Sequence, residues 1–244
     1  MAFIRVRNDW GDVLINDDYV NLRLANKGPL SLLDGDGFQY MDVSYVAANP
    51  SYPPIIAVRC TTHLSSVVGL TVNGNSYTFR IGFMVMEGTN PPHAASGEYF
   101  IFDAPAPTSQ RIGNLCVRNA TGMVVFDSGY EYMNVIGVYS FPPFTSGEQP
   151  ITKINLDPAR KYAACVMQLG FFWQYNSAEI DDGASEYWET DILYMYDGIM
   201  WDGGTLTHQG ATYKSDYYQT SSSQGIGKST AGSGIHMIID VTGF

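Results

Sequence analysis

The sequence is short of charge, above all of positive charge. Only 15% of its 244 residues are charged, with 13 Lys and Arg against 24 Asp and Glu, for a net charge of −11. Globular chains carry about 25% charged residues. A surface this acidic repels phosphate, so no nucleic-acid partner is expected. Cysteine is scarce too. Cys60, Cys116 and Cys165 are far apart, odd in number and free of any Cys-x-x-Cys pair. That excludes a zinc-finger framework and a disulfide scaffold. The three are expected to be inert packing thiols made in a reducing compartment. Long apolar runs are missing. The nearest, Ile55-Ile56-Ala57-Val58, stops at Arg59, far short of the roughly 18 residues of a spanning helix, so no membrane insertion is expected. The opening residues Met1-Ala2-Phe3-Ile4-Arg5-Val6-Arg7 contain no apolar h-region, so no secretory signal is expected. Helical periodicity is also lacking. The best candidate, Asp157–Met167, begins Asp-Pro-Ala-Arg, which suits one helical turn or the entry to a strand.

Alternation is abundant. Phe3–Arg7, Asp12–Asn16, Tyr19–Leu24, Ile55–Cys60, Val67–Val72, Ser76–Met86, Tyr99–Asp103, Leu115–Arg118, Met123–Asp127, Met133–Tyr139, Tyr162–Trp173, Ile192–Tyr196 and His236–Val241 all read as strands. Asn73-Gly74-Asn75 reads as a tight hairpin turn between two of them. Many short strands separated by Gly and Pro turns predict an all-β chain of the sandwich or barrel class.

A repeat organises the chain. Val6–Tyr19 aligns without a gap on Val117–Tyr130, and six of fourteen positions are identical: Val, Arg, Asn, Gly, Val and Tyr. Apolar positions continue in step, with Leu22 and Leu24 opposite Met133 and Val135. The shared Gly11 and Gly122 suit a turn position of positive φ, and Asn8 and Asn119 suit a side chain that bonds its own turn. Two related antiparallel β-sandwich units in tandem are therefore expected, at residues 1–106 and 107–244. The boundary falls in the Pro/Ala/Ser stretch Asp103–Gln110. The second unit has longer loops.

Motifs of chemistry are weak. Gly225-Ile226-Gly227-Lys228-Ser229-Thr230 ends like a phosphate-binding loop, but Ser222 stands where the first Gly belongs, so the stretch is read as a flexible Ser/Gly loop. Asp34-Gly35-Asp36-Gly37 and the acids Glu179, Asp181 and Asp182 lack the spacing of a calcium loop. His63, His93, His208 and His236 form no HExxH pattern, and no GxSxG elbow exists, so all four are read as structural. Asn119-Ala120-Thr121 matches a glycosylation sequon and is read as a turn. No catalytic residue, metal or cofactor is expected. The distinctive stretch is Glu179–Asp202, with eight acids and no Lys or Arg. Rings stack on sugar faces and carboxylates accept hydroxyl protons. Trp173, Tyr187, Trp188, Tyr194, Tyr196 and Trp201 are accordingly candidates for glycan or receptor contact. Glycoside hydrolysis would need two facing carboxylates from Glu179, Asp182, Glu186, Glu189 and Asp191.

The segments Leu115–Ser128 and Gly97–Pro105, carrying a V-x-N-x-x-G-x-x-x-F-D-S hairpin and the strand Tyr99-Phe100-Ile101-Phe102-Asp103, resemble segments of small tail proteins of tailed bacteriophages. The resemblance is best over Leu115–Tyr139, is weaker over Phe3–Leu24, and leaves Glu179–Gly234 uncovered. It implies a non-enzymatic virion protein of the tail tip or fibres, assembled in the host cytoplasm. Possible host-surface attachment, other tail proteins as partners and a trimer as first choice of oligomer come with it. The abundance of 17 Tyr, 12 Phe, 4 Trp and 10 Met suits the large apolar interfaces of a homo-oligomer. The alternative is a soluble carbohydrate-binding module or lectin.

Overall fold

The computed structural model describes residues 5–7, 13–16, 20–35, 38–84, 94–143, 151–181, 186–220, 226–231 and 233–244. Every regular element among them is a strand, as alternation predicted. The first half of the chain supplies β1 (Arg5–Arg7), β2 (Val13–Asn16), β3 (Arg23–Pro29), β4 (Leu33–Gly35), β5 (Phe38–Val46), β6 (Ile55–Cys60), β7 (Leu64–Asn73), β8 (Ser76–Met84) and β9 (Gly97–Asp103). The second half supplies β10 (Cys116–Arg118), β11 (Val124–Asp127), β12 (Asn134–Ser140), β13 (Thr152–Asn155) and β14 (Tyr162–Gln168). It continues with β15 (Phe171–Asp181), β16 (Glu186–Asp202), β17 (Thr205–Thr220), β18 (Ile226–Ala231) and β19 (Ile235–Asp240).

Two hairpins, β1–β2 and β10–β11, accompany two larger antiparallel sheets. The first sheet runs β12-β19-β14-β6-β9-β3. The second runs β13-β17-β16-β7-β8-β5-β4, with β15 on β16 and β18 on β15. Each half contributes three adjacent strands to the first sheet, with the order reversed between halves. The same holds for β13-β17-β16 and β7-β8-β5 in the second. The hairpins agree in detail. Arg5, Val6 and Arg7 pair with Asn16, Ile15 and Val13, with a bulge before Arg7. Cys116, Val117 and Arg118 pair with Asp127, Phe126 and Val124, with a bulge before Arg118. The halves also meet directly, at Val58↔Ala164 in one sheet and Ser65↔Ile199 in the other. Sheet hydrogen bonding thus runs across the 106/107 boundary.

Between the sheets lie two cores. Val43, Phe79, Ile81 and Phe83 pack against Ile56, Val58, Cys60 and Ile101 in the first half. Ile199, Trp201 and Leu206 pack against Tyr162, Ala164, Phe141 and Ile238 in the second. The opposite face of the six-stranded sheet is apolar as well. Ala57, Phe100, Phe102, Ala163 and Ile239 are fully buried there, with Leu22, Leu24, Met133 and Phe244 packed on them. A sheet buried on both faces reads as a continuous apolar run, as in Ile55–Cys60 and Tyr99–Asp103.

The repeat motif is turn chemistry. Asn119 Oδ1 accepts the N–H of Thr121 and Met123, at 3.1 and 3.0 Å, and Gly122 takes φ +84°. Asp127 Oδ atoms accept N–H bonds from Ile112, Gly113 and Gly129 at 2.9, 2.6 and 2.9 Å. Asp103, which ends the strand Tyr99–Asp103, accepts from Tyr45 Oη and the Ala48 N–H, at 2.8 and 2.7 Å. Burial works to raise the Asp127 carboxyl, but the three N–H donors outweigh it and hold it below the ordinary Asp value. A carboxyl lowered on folding stabilises fully above its unfolded value, about 3.9, and loses that contribution as pH falls through its folded value. We expect acid titration followed by tryptophan fluorescence to show a stability loss below pH ~3.9 that is smaller in Asp127→Asn, which has no ionised carboxylate to lose.

Two sequence expectations change, and the open alternative at Asp157–Met167 resolves as a strand entry. Tyr162–Trp173 is not one strand but the whole of β14 and the start of β15, broken at Leu169-Gly170 because Gly170 is tied to Asp197 at both its N–H and its carbonyl. Asp157–Met167 opens with a turn, Asp157 Oδ1 accepting the Ala159 N–H at 2.9 Å, and continues as β14. Within the Ser/Gly-rich stretch, Ile226–Ala231 is a strand rather than a flexible loop. Its backbone pairs with Phe171–Asn176.

Candidate functional site

Three buried ionisable side chains converge in the second core. Trp201, Ile199 and Asp197 alternate along β16 and face inward; their partners Leu206, His208 and Gly210 on β17 share that face. From the other sheet, His236 on β19 pairs with Tyr139 on β12 and lies one alternation from Ile238. The result is Asp197, His208 and His236 with exposures of 0, 2 and 1%. Asp197 Oδ2 sits 3.3 Å from His208 Nε2 and 2.6 Å from His236 Nε2. Asp197 Oδ1 accepts the Gly170 N–H at 2.8 Å. Phe141 stacks on the His208 ring, with centroids 3.7 Å apart and planes 7° from parallel. The two imidazoles meet edge to face at 70°.

Burial pushes the Asp197 carboxyl upward, but the hydrogen bonds from both histidines overcome it and leave the acid ionised below its ordinary range. Burial also lowers His208, against the pull of Asp197. Among the described residues no second trio of this kind occurs, and the core of the first half is built on Phe79, Ile81, Phe83, Val58 and Ile101. The cluster also marks a junction. Gly170 precedes β15 and Gly234 follows β18, and both glycines press on Asp197. Asp197 therefore pins the point where the strands added to the second half leave the sandwich and return.

Those strands form a four-stranded extension, β17-β16-β15-β18, through residues 211–220, 187–196, 171–181 and 226–231. Cross-strand partners share a face. Trp173 pairs with Tyr194, Phe171 with Tyr196 and Glu179 with Trp188. The register thus places Trp173, Trp188, Tyr194 and Tyr196 on one face, half-buried. The Phe171 and Tyr196 rings are 5.2 Å apart, and Tyr196 meets Tyr213 edge-on at 5.2 Å. Tyr187 has the opposite parity and lies on the other face, the one that buries Phe172 and Met195 nearer the root. Trp201 is a correction. It is fully buried between the sheets against Tyr162, so it presents no ring to a ligand. It sits beyond the extension, where β16 enters the core.

The other candidates separate. Glu179 shares a face with Trp188, whereas Glu189 and Asp191 are on the opposite face. Asp182, His93 and Asp36-Gly37 lie outside the described residues. His63 is buried and bonds Thr62 Oγ1 through Nδ1 at 3.0 Å. Cys60 and Cys165 are buried and unpaired, and Cys165 is pushed up to about 12 by burial. Sequence reading kept His208 and His236 as separate structural residues and passed over Asp197. The available signal was parity: each lies one alternation from a core residue, at Ile199, Leu206 and Ile238. Comparison with known protein families, curated proteins and solved structures finds no match to this chain.

Proposed function

We propose that this chain is a non-enzymatic structural protein of a bacteriophage tail, at the tip or with the fibres, and that its four-stranded extension makes host-surface contact. The carrying observation is the face that gathers Trp173, Trp188, Tyr194 and Tyr196 on strands present in one half only. Flat rings on a regular sheet suit stacking against sugar faces or a receptor surface. The two motifs that resemble tail proteins turn out to hold turns together through Asn119, Asp127 and Asp103. That is the chemistry of a scaffold, in keeping with the resemblance. The matching hairpins and reversed strand orders support a duplication, with units at 1–106 and 107–244 joined through both sheets.

Assembly has support of its own. Among the described residues β12 pairs with β19 alone, and it exposes Val135, Ile136 and Val138 at 42, 38 and 60% on an uncharged edge. The opposite edge, β3, carries Lys27 and Pro29, which block edge pairing. An unblocked edge fits a subunit of a homo-oligomer, with a trimer the first choice, or a contact to other tail proteins. The test is light scattering after size-exclusion chromatography, with gold-labelled antibody on phage particles. A multiple of 26.9 kDa and label at the tail tip are expected. A monomer that binds glycans, with no label on particles, would instead identify a soluble carbohydrate-binding module.

A further inference from the structure

We propose that Asp197, His208 and His236 bind one divalent transition-metal ion of the zinc class, which braces the two sheets at the root of the extension. The inference does not depend on the tail assignment. One donor atom from each of Asp197, His208 and His236 lies within 4.8 Å of the other two in the buried core, and both Nε2 atoms approach Asp197 Oδ2. They come from three strands and both sheets. Two imidazole nitrogens and a carboxylate oxygen form the mixed donor set that suits zinc, whereas magnesium and calcium favour all-oxygen shells.

Charge points the same way. A carboxylate removed from water needs a compensating positive charge. Among the described residues no Lys or Arg pairs with Asp197; the side chains that meet its carboxylate are the two imidazoles. The carboxylate is also oriented from behind. The Gly170 N–H fixes Oδ1 at 2.8 Å and turns Oδ2 between the imidazoles. A hydrogen bond of that kind aims a first ligand atom at a metal. Gly234 keeps the flank clear: a Cβ there would lie 1.7 Å from Oδ2 and 3.4 Å from His236 Nε2.

Distances allow the fit. Metal bonds of about 2.0–2.2 Å in tetrahedral array separate donor atoms by roughly 3.3–3.5 Å. The Asp197–His208 separation of 3.3 Å already matches. The 2.6 Å contact to His236 is a hydrogen bond, and opening it to the metal-bound spacing takes less than about 1 Å. Three protein ligands leave a fourth position for water. Among the described residues, both Nδ1 atoms lack a partner. They are free to carry the proton when Nε2 turns to a metal.

The test uses the full chain, without a polyhistidine tag, grown with zinc and purified by size exclusion. Elemental analysis is expected to find about one zinc per chain. Chelator-treated protein is expected to regain thermal stability on adding zinc chloride, and to develop a visible ligand-field band with cobalt. His208→Gln, His236→Gln and Asp197→Asn are each expected to lose the metal. The wild-type titration stands even if a variant fails to fold. Metal-free protein whose melting ignores both zinc and cobalt would overturn the proposal. So would one bound metal retained by all three variants.

Discussion

Replacing Trp201 by Ala is expected to lower the unfolding free energy by about 3–5 kcal/mol. The ring is fully buried, stacks on Tyr162 of the other sheet at 5.9 Å, and lies under the Arg59 guanidinium. Its removal takes away a large apolar surface and opens a cavity where Ile199, Leu206 and Ile238 meet. Packed strands collapse only partly into such a void, so the cavity adds to the lost transfer energy. One effect opposes this. The indole Nε1 is buried without a partner among the described residues, and deleting an unsatisfied donor returns about 1–3 kcal/mol. Trp201→Phe, which keeps most of the area and drops the donor, is therefore expected to cost much less. The contrast that matters is with Trp188→Ala and Trp173→Ala, both on the extension. Surface or half-buried positions there should change stability by about 1 kcal/mol or less, yet weaken glycan or receptor contact. Urea midpoints and ligand-binding assays on the three variants separate the roles. Intact stability with lost binding in Trp201→Ala would contradict the core assignment.

Legibility in the sequence followed what local pattern can encode. Ile55–Cys60 was readable to the residue because β6 is buried on both faces and has no register to hide. The Asn73–Asn75 turn was readable because Gly74 takes φ +61° in a two-residue loop, with Asn73 paired to Ser76. The Leu115–Tyr130 hairpin was readable because Asn119, Gly122 and Asp127 each have a turn to close, whereas Asn8 and Gly11 lie outside the described residues. Of Glu186–Asp202 only Ile192–Tyr196 was read as a strand, since both faces of β16 mix acids with apolar residues: Glu186, Trp188 and Ile192 lie on one, Glu189, Asp191 and Leu193 on the other. Thr205–Thr220 hid behind Ser, Thr and Gln. Strand order was invisible for another reason. Every neighbour in the six-stranded sheet is non-consecutive in sequence, and hairpins such as β7-β8 and β16-β17 in the other sheet meet one another out of chain order. Asp197 and His208 meet across the β16–β17 hairpin, but His236 arrives on β19 of the other sheet, and its spacing along the chain carries no trace of that.

Asp197→Ala is expected to be comparably damaging, about 3–5 kcal/mol, though it removes only a few atoms. The carboxylate is the shared acceptor for the Gly170 N–H and the two imidazoles. Without it three polar groups stay buried and unanswered, and each such group costs about 1–3 kcal/mol. Should a metal occupy the site, its charge loses its only anionic ligand as well, so the sign of the effect is the same in both cases. The damage should also be local in its onset. Gly170 and Gly234 touch Asp197 where β15 begins and β18 ends, so the root of the extension loosens before the apolar first core, which shares no group with the cluster. Hydrogen exchange followed by mass spectrometry is expected to show faster exchange in residues 170–181 and 226–234 than in 55–60 and 97–103. Uniform acceleration across both halves would mean that the cluster stabilises the whole sandwich equally, and that the extension has no separate anchor. A graded response would explain why, among the described residues, the buried acid and imidazole trio stands in the second core: that core adjoins the root of the four-stranded extension.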